Sequence, residues 1–380
     1  MSTPLYVDIH ALQTVPYANL NRDDLGAPKT LVYGSAERTR VSSQSWKRVV
    51  RHEIERRLGD PALRTRRVVQ SVSALLVEQG WDPDLAIAGA RQVILSAGKS
   101  GIKFDTPPKD KPDQNITSVT LYLPASGIRE LAAIVTEHQD VVTAEAAKKE
   151  PKGVLPQERV ADVLRRRNGT IQLMGRMLAE LPGAEVDGAV QFAHAFTTHA
   201  TQVETDFFTA VDDIEKEGDA GSAHMNAAQY SAGTFYRYAN IGLGTLLANL
   251  EGDLDTAREL SAEFLRAFVK TVPSGKQNAT AAMTIPDLTY IAIRSDRPVS
   301  FAPAFEDPVR SELGFGAPSR DAFAAYATQL NQYWGTSDLV RHGHASIWGK
   351  PITGLGEHAA SIDELLAATA AAAFPGSGQS

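Results

Sequence analysis

The chain has 380 residues, 43% of them hydrophobic, and a formal net charge of −7 at pH 7. This composition is typical of a globular protein with a large core, and the absence of cysteine excludes disulfides, Cys-ligated zinc and thiol catalysis. The first 16 residues lack the features of a signal peptide, and no apolar run reaches the roughly 18 residues of a membrane helix. We therefore expect a cytoplasmic protein that does not contact a membrane.

Six elements, four strands and two helices, are predicted outside the two insertions. Polar and apolar residues alternate over 5–13, which predicts a half-buried strand. A loop rich in charge, Gly and Pro follows over 16–40. Helical spacing of apolar residues, with Ser42 or Ser43 as the cap, then predicts a helix over 43–58. The same criteria predict strands over 170–177, 234–241 and 287–294 and a helix over 254–270.

In order, these elements form the β-α-β-β-α-β pattern of a ferredoxin-like sheet, which RNA-recognition domains use. Two insertions interrupt the pattern. The first, near 60–165, is mostly helical, and the second, near 182–230, is polar and strongly charged. The sequence therefore predicts an α+β fold built on a ferredoxin-like (RRM-like) sheet.

Residues 38–67 form a basic segment in an acidic chain, with ten Lys and Arg against three Asp and Glu. Lys47 and Arg51 are four residues apart, so they share one face of the predicted helix. The helix N-terminus, with its free N–H groups and partial positive charge, also favours phosphate. A solvated charged face is the alternative, but other basic residues favour an anionic partner, which we interpret as RNA backbone. These residues are Arg22, Lys29, Arg38, Arg165, Arg166 and Arg167.

The adjacent aromatic residues Phe207 and Phe208 lie in an acidic stretch that runs from Glu204 to Asp219. Neighbouring side chains cannot share a strand face or a helix stripe, so at least one of the two rings is expected to be exposed. An exposed Phe can stack on an unpaired base, which is worth on the order of 1–3 kcal/mol. The alternative is that both rings belong to a core or an interface.

Signals for catalysis or metal binding are weak throughout the sequence. The segments around Lys99 and Lys276 lack a complete phosphate-binding loop, and no nucleophile elbow or HExxH motif is present. Four histidines and two pairs of adjacent acidic residues have the chemistry of metal ligands but not a ligand spacing. They are His194, His199, His342, His344, Asp23, Asp24, Asp212 and Asp213. We predict no catalytic residue, no metal site and no cofactor.

Six short motifs occur in order along the chain: Leu20-Asn21-Arg22-Asp23-Asp24, Arg40-Val41-Ser42-Ser43-Gln44-Ser45, Gly175-Arg176-Met177, Ala193-His194-Ala195-Phe196-Thr197-Thr198-His199, Phe208-Thr209-Ala210-Val211-Asp212-Asp213 and Phe235-Tyr236-Arg237-Tyr238-Ala239-Asn240-Ile241. Their ordered combination resembles the CasC family, the backbone subunit of the type I-E CRISPR surveillance complex, Cascade. The resemblance runs from Tyr6 to about Pro286. It is looser in the middle of the helical insertion and beyond Ser300.

The resemblance implies a right-hand shape, with a ferredoxin-like palm, a helical fingers insertion and an extended thumb hairpin. Placed on this sequence, the palm takes residues 1–59, 168–181 and 231–380. The C-terminal tail of the palm, from Ala367 to Ser380, is low in complexity, so we expect it to fray. The fingers take residues 60–167, and the thumb takes residues 182–230.

The resemblance also implies a function without catalysis. Several copies of the subunit line up along one CRISPR RNA (crRNA) and display the guide for pairing with target DNA in antiviral defence. The implied partners are crRNA, target DNA, other copies of the chain, other Cascade subunits and a recruited helicase-nuclease.

The resemblance assigns RNA-binding roles to individual residues. Met177 would pack against bases at the palm, and Phe207, Phe208 and Thr209 would form a thumb tip that wedges where a base is displaced. Arg176, which lies beside Met177 in the same motif, is also assigned to RNA binding. The residues expected at the RNA backbone are Arg22, Lys29, Arg40, Ser42, Gln44, Lys47, Arg48 and Arg51.

Two other functions stay open at this stage. In a type III-like backbone subunit, Asp206, Asp212 or Asp213 would cleave bound target RNA with a divalent metal. A generic RNA chaperone would bind RNA without forming ordered filaments of fixed length. The absence of the aromatic signature of ordinary RNA-recognition domains argues against sequence-specific binding of bases in each case.

Overall fold

The computed structural model describes residues 5–97, 102–106, 115–210 and 224–375. Its residues form two compact units. The first unit consists of Met1–Glu53, Val190–Gly244 and Asp253–Ser380, and the second of Ile54–Ala189 and Thr245–Gly252. No helix in the described ranges combines the length and apolar character needed to cross a membrane.

The protein is a mixed α+β chain. Its strands are β1 (Tyr6–Ala18), β2 (Thr30–Tyr33), β3 (Ala36–Val41), β4 (Ala62–Thr65), β5 (Leu121–Pro124), β6 (Val190–Phe192), β7 (Ala195–Thr197), β8 (Glu204–Ala210), β9 (His224–Gly242), β10 (Leu288–Arg294), β11 (Leu339–Ser346) and β12 (Glu357–His358). Its helices are α1 (Ser43–Leu58), α2 (Val68–Glu78), α3 (Pro83–Leu95), α4 (Ala125–Glu137), α5 (Gln139–Ala146), α6 (Gln157–Arg165), α7 (Gly169–Met174), α8 (Leu243–Asn249), α9 (Leu254–Lys270), α10 (Gln277–Thr280), α11 (Gly316–Trp334) and α12 (Ile362–Ala373).

The first unit is built on one large sheet with the strand order β12-β11-β10-β1-β9-β7-β3-β2, and β6 and β8 also pair with β9. Every pairing except β11–β12 is antiparallel. Strand β1 lies between β10 and β9, and its residues from Val7 to Gln13 are buried on both faces, so the prediction of a half-buried strand is wrong. It pairs with β10 from Tyr6 to Leu12 and with β9 from Tyr6 to Ala18, with an irregularity between Val15 and Ala18.

Five of the six predicted elements of the ferredoxin-like pattern are confirmed, as β1, α1, β9, α9 and β10. The predicted strand over 170–177 is wrong, because this segment forms helix α7. The Asn168 side chain accepts the Ile171 N–H at 3.0 Å, which starts the helix. Gly175, with a φ of +78°, ends it. The place of the predicted strand in the pattern is taken by β6 and β7, which have three residues each and pair with β9.

Two other predictions change. The segment predicted as a loop over 16–40 contains the hairpin of β2 and β3. Its turn needs Gly34, because φ is +58° and a Cβ there would lie 1.5 Å from the Glu306 carbonyl oxygen. The predicted frayed tail begins too early, because α12 continues to Ala373 and Phe374 is buried.

The second unit is mostly helical, as predicted for the insertion near 60–165. Helices α2 to α6 surround a core that includes Val72, Leu76, Val93, Leu131 and Val135. The short antiparallel pair of β4 and β5 joins them. Residues 168–181, expected in the palm, lie in this second unit.

A single arginine joins helix α1 to the sheet of the first unit. The Arg237 guanidinium lies 3.6 Å from the Trp46 ring centroid and 4.4 Å from that of Phe268. It donates to the Gln13 side-chain oxygen at 2.5 Å and to the Phe268 carbonyl oxygen. Burial lowers the pKa of Arg237 to about 9, so the guanidinium is still charged at neutral pH. This contact fixes the buried face of α1 and directs its other face outward.

A buried carboxyl group lies in the central strand. Asp8 accepts hydrogen bonds from the Tyr238 hydroxyl at 2.8 Å and from the Val299 N–H at 3.0 Å, and the Arg294 Nε lies 3.6 Å away. Burial outweighs these interactions and raises the pKa of Asp8 to about 7. The folded protein therefore binds a proton at Asp8 more readily than the unfolded chain does.

This proton difference predicts a pH-dependent stability. Between the ordinary carboxyl pKa near 4 and the folded value of about 7, the stability contributed by Asp8 falls as pH rises, by on the order of 1 kcal/mol per pH unit. Asp8→Asn removes the titrating group, so its thermal midpoint should change less than that of wild type between pH 5 and pH 8. Parallel pH profiles for the two proteins would contradict the assignment.

Candidate nucleic-acid interface

The loop after β1 and the start of α1 are held together by Asn21. The Asn21 side-chain oxygen accepts the Ser42 N–H at 2.8 Å, and its carbonyl oxygen accepts the Lys29 N–H at 3.0 Å. The Lys29 carbonyl oxygen in turn accepts the Arg40 N–H at 2.8 Å. The backbones of Arg22 and Pro28 form an isolated antiparallel β-bridge. Arg22, Lys29 and Arg40 are thus brought together beside the start of α1.

Asp23 shapes this loop. One oxygen of its carboxylate accepts the Leu25 and Ala27 N–H groups, each at 2.9 Å. Such a local turn is a common use of Asp. Among the described residues, no group of three His, Asp or Glu is placed to hold a metal ion.

The first turn of α1 is capped from two directions. The Ser42 hydroxyl accepts the Ser45 N–H at 3.3 Å, which confirms Ser42 as the cap. The Ser43 N–H donates to Nδ1 of His194 at 3.1 Å. Because Nδ1 accepts this bond, the neutral imidazole carries its proton on Nε2. Ser42 is only 9% exposed, so the main role of its hydroxyl is to cap the helix.

The surroundings of His194 are positively charged. Partial burial and then the nearby charges of Arg40 and Lys29 lower the pKa of His194. Two cations close enough to disfavour a third are also close enough to attract a phosphate. We call Arg22, Lys29, Arg40 and His194, together with the outer face of α1, the basic surface.

The outer face of α1 carries the remaining predicted backbone contacts. Gln44 and Arg48 are exposed and Lys47 and Arg51 are half-buried, whereas Trp46, Val50 and Ile54 face inward. The amphipathic prediction for this helix is therefore confirmed. Arg51 also contacts Nε2 of His52 at 3.1 Å.

Arg38 and Arg176 do not contribute to the basic surface. Arg38 is fully buried and donates to the carbonyl oxygens of Thr197 and Phe305, both at 3.0 Å. Arg176 is 4% exposed and donates to four carbonyl oxygens, and burial lowers its pKa to about 10. Four of its five N–H groups are used in this way, so the buried Arg176 has at most one donor left for a phosphate. Its neighbour Met177 is 90% exposed.

Strand β8 pairs with the first part of β9 from Glu204↔Tyr230 to Ala210↔His224, and we call this pairing the hairpin. Phe207 is 70% exposed and Phe208 is 47% exposed, so the alternative that both rings belong to a core is wrong. All five residues from Glu204 to Phe208 are exposed, so neither face of this part of β8 is covered within the described structure. The side chain of Thr209, together with Asp212 and Asp213, lies outside the described residues.

The other histidines considered as metal ligands make internal hydrogen bonds. His199 accepts the Thr234 N–H at 3.1 Å and stacks on Phe315, and His344 bonds to the backbone of Leu355 and Ile352, both at 3.0 Å. His342 bonds to the Tyr290 hydroxyl at 3.0 Å. Burial is the main cause of the lowered pKa of each of the three. Each of the three rings therefore contributes to the internal hydrogen bonding of the first unit.

A family model described as CT1975-like protein (Cas_CT1975) matches residues 7–368. The chain belongs to this family. No curated protein matches it. A solved chain of a "CRISPR RNA-guided surveillance complex, pre-nicking" is 59% identical, with a TM-score of 0.91, and the match covers 97% of this chain and 100% of that one. A chain of a "CRISPR RNA-guided surveillance complex" is 50% identical, with a TM-score of 0.81 and coverage of 97% and 99%.

Membership of the CT1975-like family confirms the family resemblance carried by the six motifs, while the type I-E assignment stays a prediction. Sequence reasoning missed one residue of the basic surface of this CT1975-like protein, His194, and the residue that holds the surface together, Asn21. Asn21 and His194 both lie within the six motifs, but no pattern in the sequence gave either a role beside the cations. The first N–H groups of a helix need hydrogen-bond acceptors from outside the helix, and this requirement could have pointed to both residues.

Proposed function

We propose that this CT1975-like protein is an RNA-binding backbone subunit of a CRISPR RNA-guided surveillance complex. The observation that carries the proposal is the basic surface, in which Arg22, Lys29 and Arg40 are gathered beside the start of α1 by Asn21. The high identity to chains of surveillance complexes supports it. The protein would hold crRNA by its phosphates and sugars.

The sheet supports a ferredoxin-like palm. The order β10-β1-β9-β6/β7 corresponds to the strand order 4-1-3-2 of that fold, with α1 and α9 as the two connecting helices. We propose that the first unit contains the palm, that the second unit contains the fingers and that the hairpin of β8 and β9 belongs to the thumb.

A guide holder has to accept every guide sequence. Phosphate and sugar contacts carry no sequence information, so one basic surface can serve unrelated guides. Sequence recognition is then left to base pairing with target DNA. We propose that Lys29, Arg40 and His194, with Gln44 and the α1 cations Lys47, Arg48 and Arg51, provide the donors for this contact.

The assembled state follows from the same chemistry. Several copies would bind head to tail along one crRNA, which is a heterologous arrangement. The length of the RNA and the other subunits at its ends would limit the number of copies. The displayed guide would pair with target DNA, and a separate helicase-nuclease would degrade it. We propose a type I-E complex in the cytoplasm.

The direct test is co-expression with a CRISPR transcript and the neighbouring subunits. The expected product is a particle of fixed size containing crRNA and several copies of this chain. Recovery of the chain alone, free of RNA, would refute the proposal. Incubation of the particle with complementary RNA and Mg²⁺ separates the type III-like alternative, because periodic cuts would show an enzyme.

The exposed rings of the hairpin give a second prediction. Phe207→Ala with Phe208→Ala should leave the thermal midpoint within a few degrees of wild type, because both rings are exposed. It should instead weaken RNA binding, by on the order of 1–3 kcal/mol for each base that no longer stacks on a ring. Unfolding of this double variant under conditions in which wild type is folded would assign the rings to a structural role.

A further inference from the structure

An aromatic pair lies where β1 meets the base of the hairpin. The rings of Tyr17 and Tyr230 are stacked, with centroids 4.5 Å apart and an interplanar angle of 29°. Tyr230 is 7% exposed, whereas Tyr17 is 39% exposed. Tyr17 therefore covers Tyr230 and offers its own remaining surface to solvent.

The pair is supported from a second segment. The Lys276 Nζ lies 5.3 Å from the Tyr230 ring centroid, a cation–π distance. Lys276 has a φ of +50°, and the preceding Gly275 packs so closely that a Cβ would lie 2.4 Å from the Leu20 carbonyl oxygen. This packing places Lys276 beside the buried Tyr230 ring, so Tyr230 is held between Lys276 and Tyr17.

The pair is also joined to the basic surface. The Asn19 side chain donates to the carbonyl oxygens of Gly26 and Gln229, both at 2.9 Å. Gly26 belongs to the loop that carries Arg22, and Gln229 precedes Tyr230. The exposed Phe207 is three residues along the strand from Glu204, which pairs with Tyr230, or about 10 Å.

The charges around Tyr17 identify the kind of group that fits. Partial desolvation and the carboxylates of Asp206 and Glu204 raise the pKa of Tyr17, so its hydroxyl stays protonated. Carboxylates at this edge repel phosphate, but they do not repel an uncharged base and can accept its amino groups. A flat, exposed ring beside acceptors therefore suits a nucleobase.

We propose that Tyr17 is a stacking platform for one unpaired RNA base per subunit. This rests on the proposed function and adds a residue to it. The RNA phosphates bind the basic surface, and one RNA base that is not stacked on its neighbouring bases lies on the Tyr17 ring. Base–aromatic stacking tolerates any base, so the platform serves every guide sequence.

The test places 2-aminopurine at successive positions of the crRNA in the assembled complex. In wild type, its fluorescence should be quenched at the position that lies on Tyr17. Tyr17→Ala should restore the fluorescence there and weaken RNA binding about five-fold or more. The slope of affinity against salt concentration should not change, because every residue that binds a phosphate is still present.

Two further variants separate stacking from structure. Tyr17→Phe keeps the ring and should behave as wild type. Tyr17→Leu keeps apolar cover over Tyr230 and should fold normally, yet lose the quenching.

The possible failures are distinct. Unchanged fluorescence and affinity in Tyr17→Ala and Tyr17→Leu would overturn the platform alone, and so would a reduced salt slope. A wild-type protein that binds no RNA would overturn the proposed function first.

Discussion

Arg237→Ala is expected to lower the free energy of unfolding by about 2–5 kcal/mol, the range for truncating a large buried side chain to Ala. The guanidinium fills the space between the Trp46 and Phe268 rings. Its removal leaves a cavity, and it also leaves the Gln13 side-chain oxygen and the Phe268 carbonyl oxygen without this donor. Denaturant unfolding followed by tryptophan fluorescence measures the change.

Two matched substitutions make this result specific. Arg237→Lys keeps the charge but loses the planar donor geometry, so it should be intermediate. Arg310→Ala removes an arginine that is 85% exposed and should change stability by less than about 0.5 kcal/mol. If Arg237→Ala is as stable as Arg310→Ala, α1 does not depend on this contact.

Lys47→Ala with Arg51→Ala is expected to weaken RNA binding on the order of 10- to 100-fold at low salt. The weakening should be about equal for unrelated guide sequences, because phosphates are the same in every guide. Removing two phosphate contacts should also reduce the slope of log affinity against log salt by roughly 1.4 for a single strand. Titrations at several salt concentrations with two unrelated crRNAs measure both effects.

The control removes the same charge elsewhere in the first unit. Arg297→Ala with Arg310→Ala deletes two exposed cations outside the basic surface and should leave the salt slope close to that of wild type. Strong discrimination between guides by the Lys47/Arg51 variant would contradict backbone binding. An equal weakening in both double variants would show that only the total charge matters.

Local patterns predicted much of the first unit because its long elements are strongly periodic. The stripe of Trp46, Val50 and Ile54 marks α1, and the alternation in β1 marks a strand. The segment of α7 also alternates, as Ile171, Gln172 and Leu173 do, and this led to a strand. The helix start at Asn168 and stop at Gly175 were the stronger signals.

The rest of the sheet was not predictable in the same way. Strands β6 and β7 have only three residues each, too few for a period, and they exist because β9 pairs with them. Within the candidate site, composition identified the cations but not their burial. Arg38 and Arg176 count as basic in the sequence, whereas tertiary packing places both inside.

The position of β1 has a mechanical consequence. Its C-terminal end at Ala18 leads directly into the loop of Arg22, while its residues from Tyr6 to Leu12 are paired on both sides, with β9 and with β10. Tension applied by a bound strand to that loop would act along β1, at right angles to its interstrand hydrogen bonds. Those bonds would then be loaded in shear and share the force, so β1 anchors the loop at the most load-resistant part of the sheet.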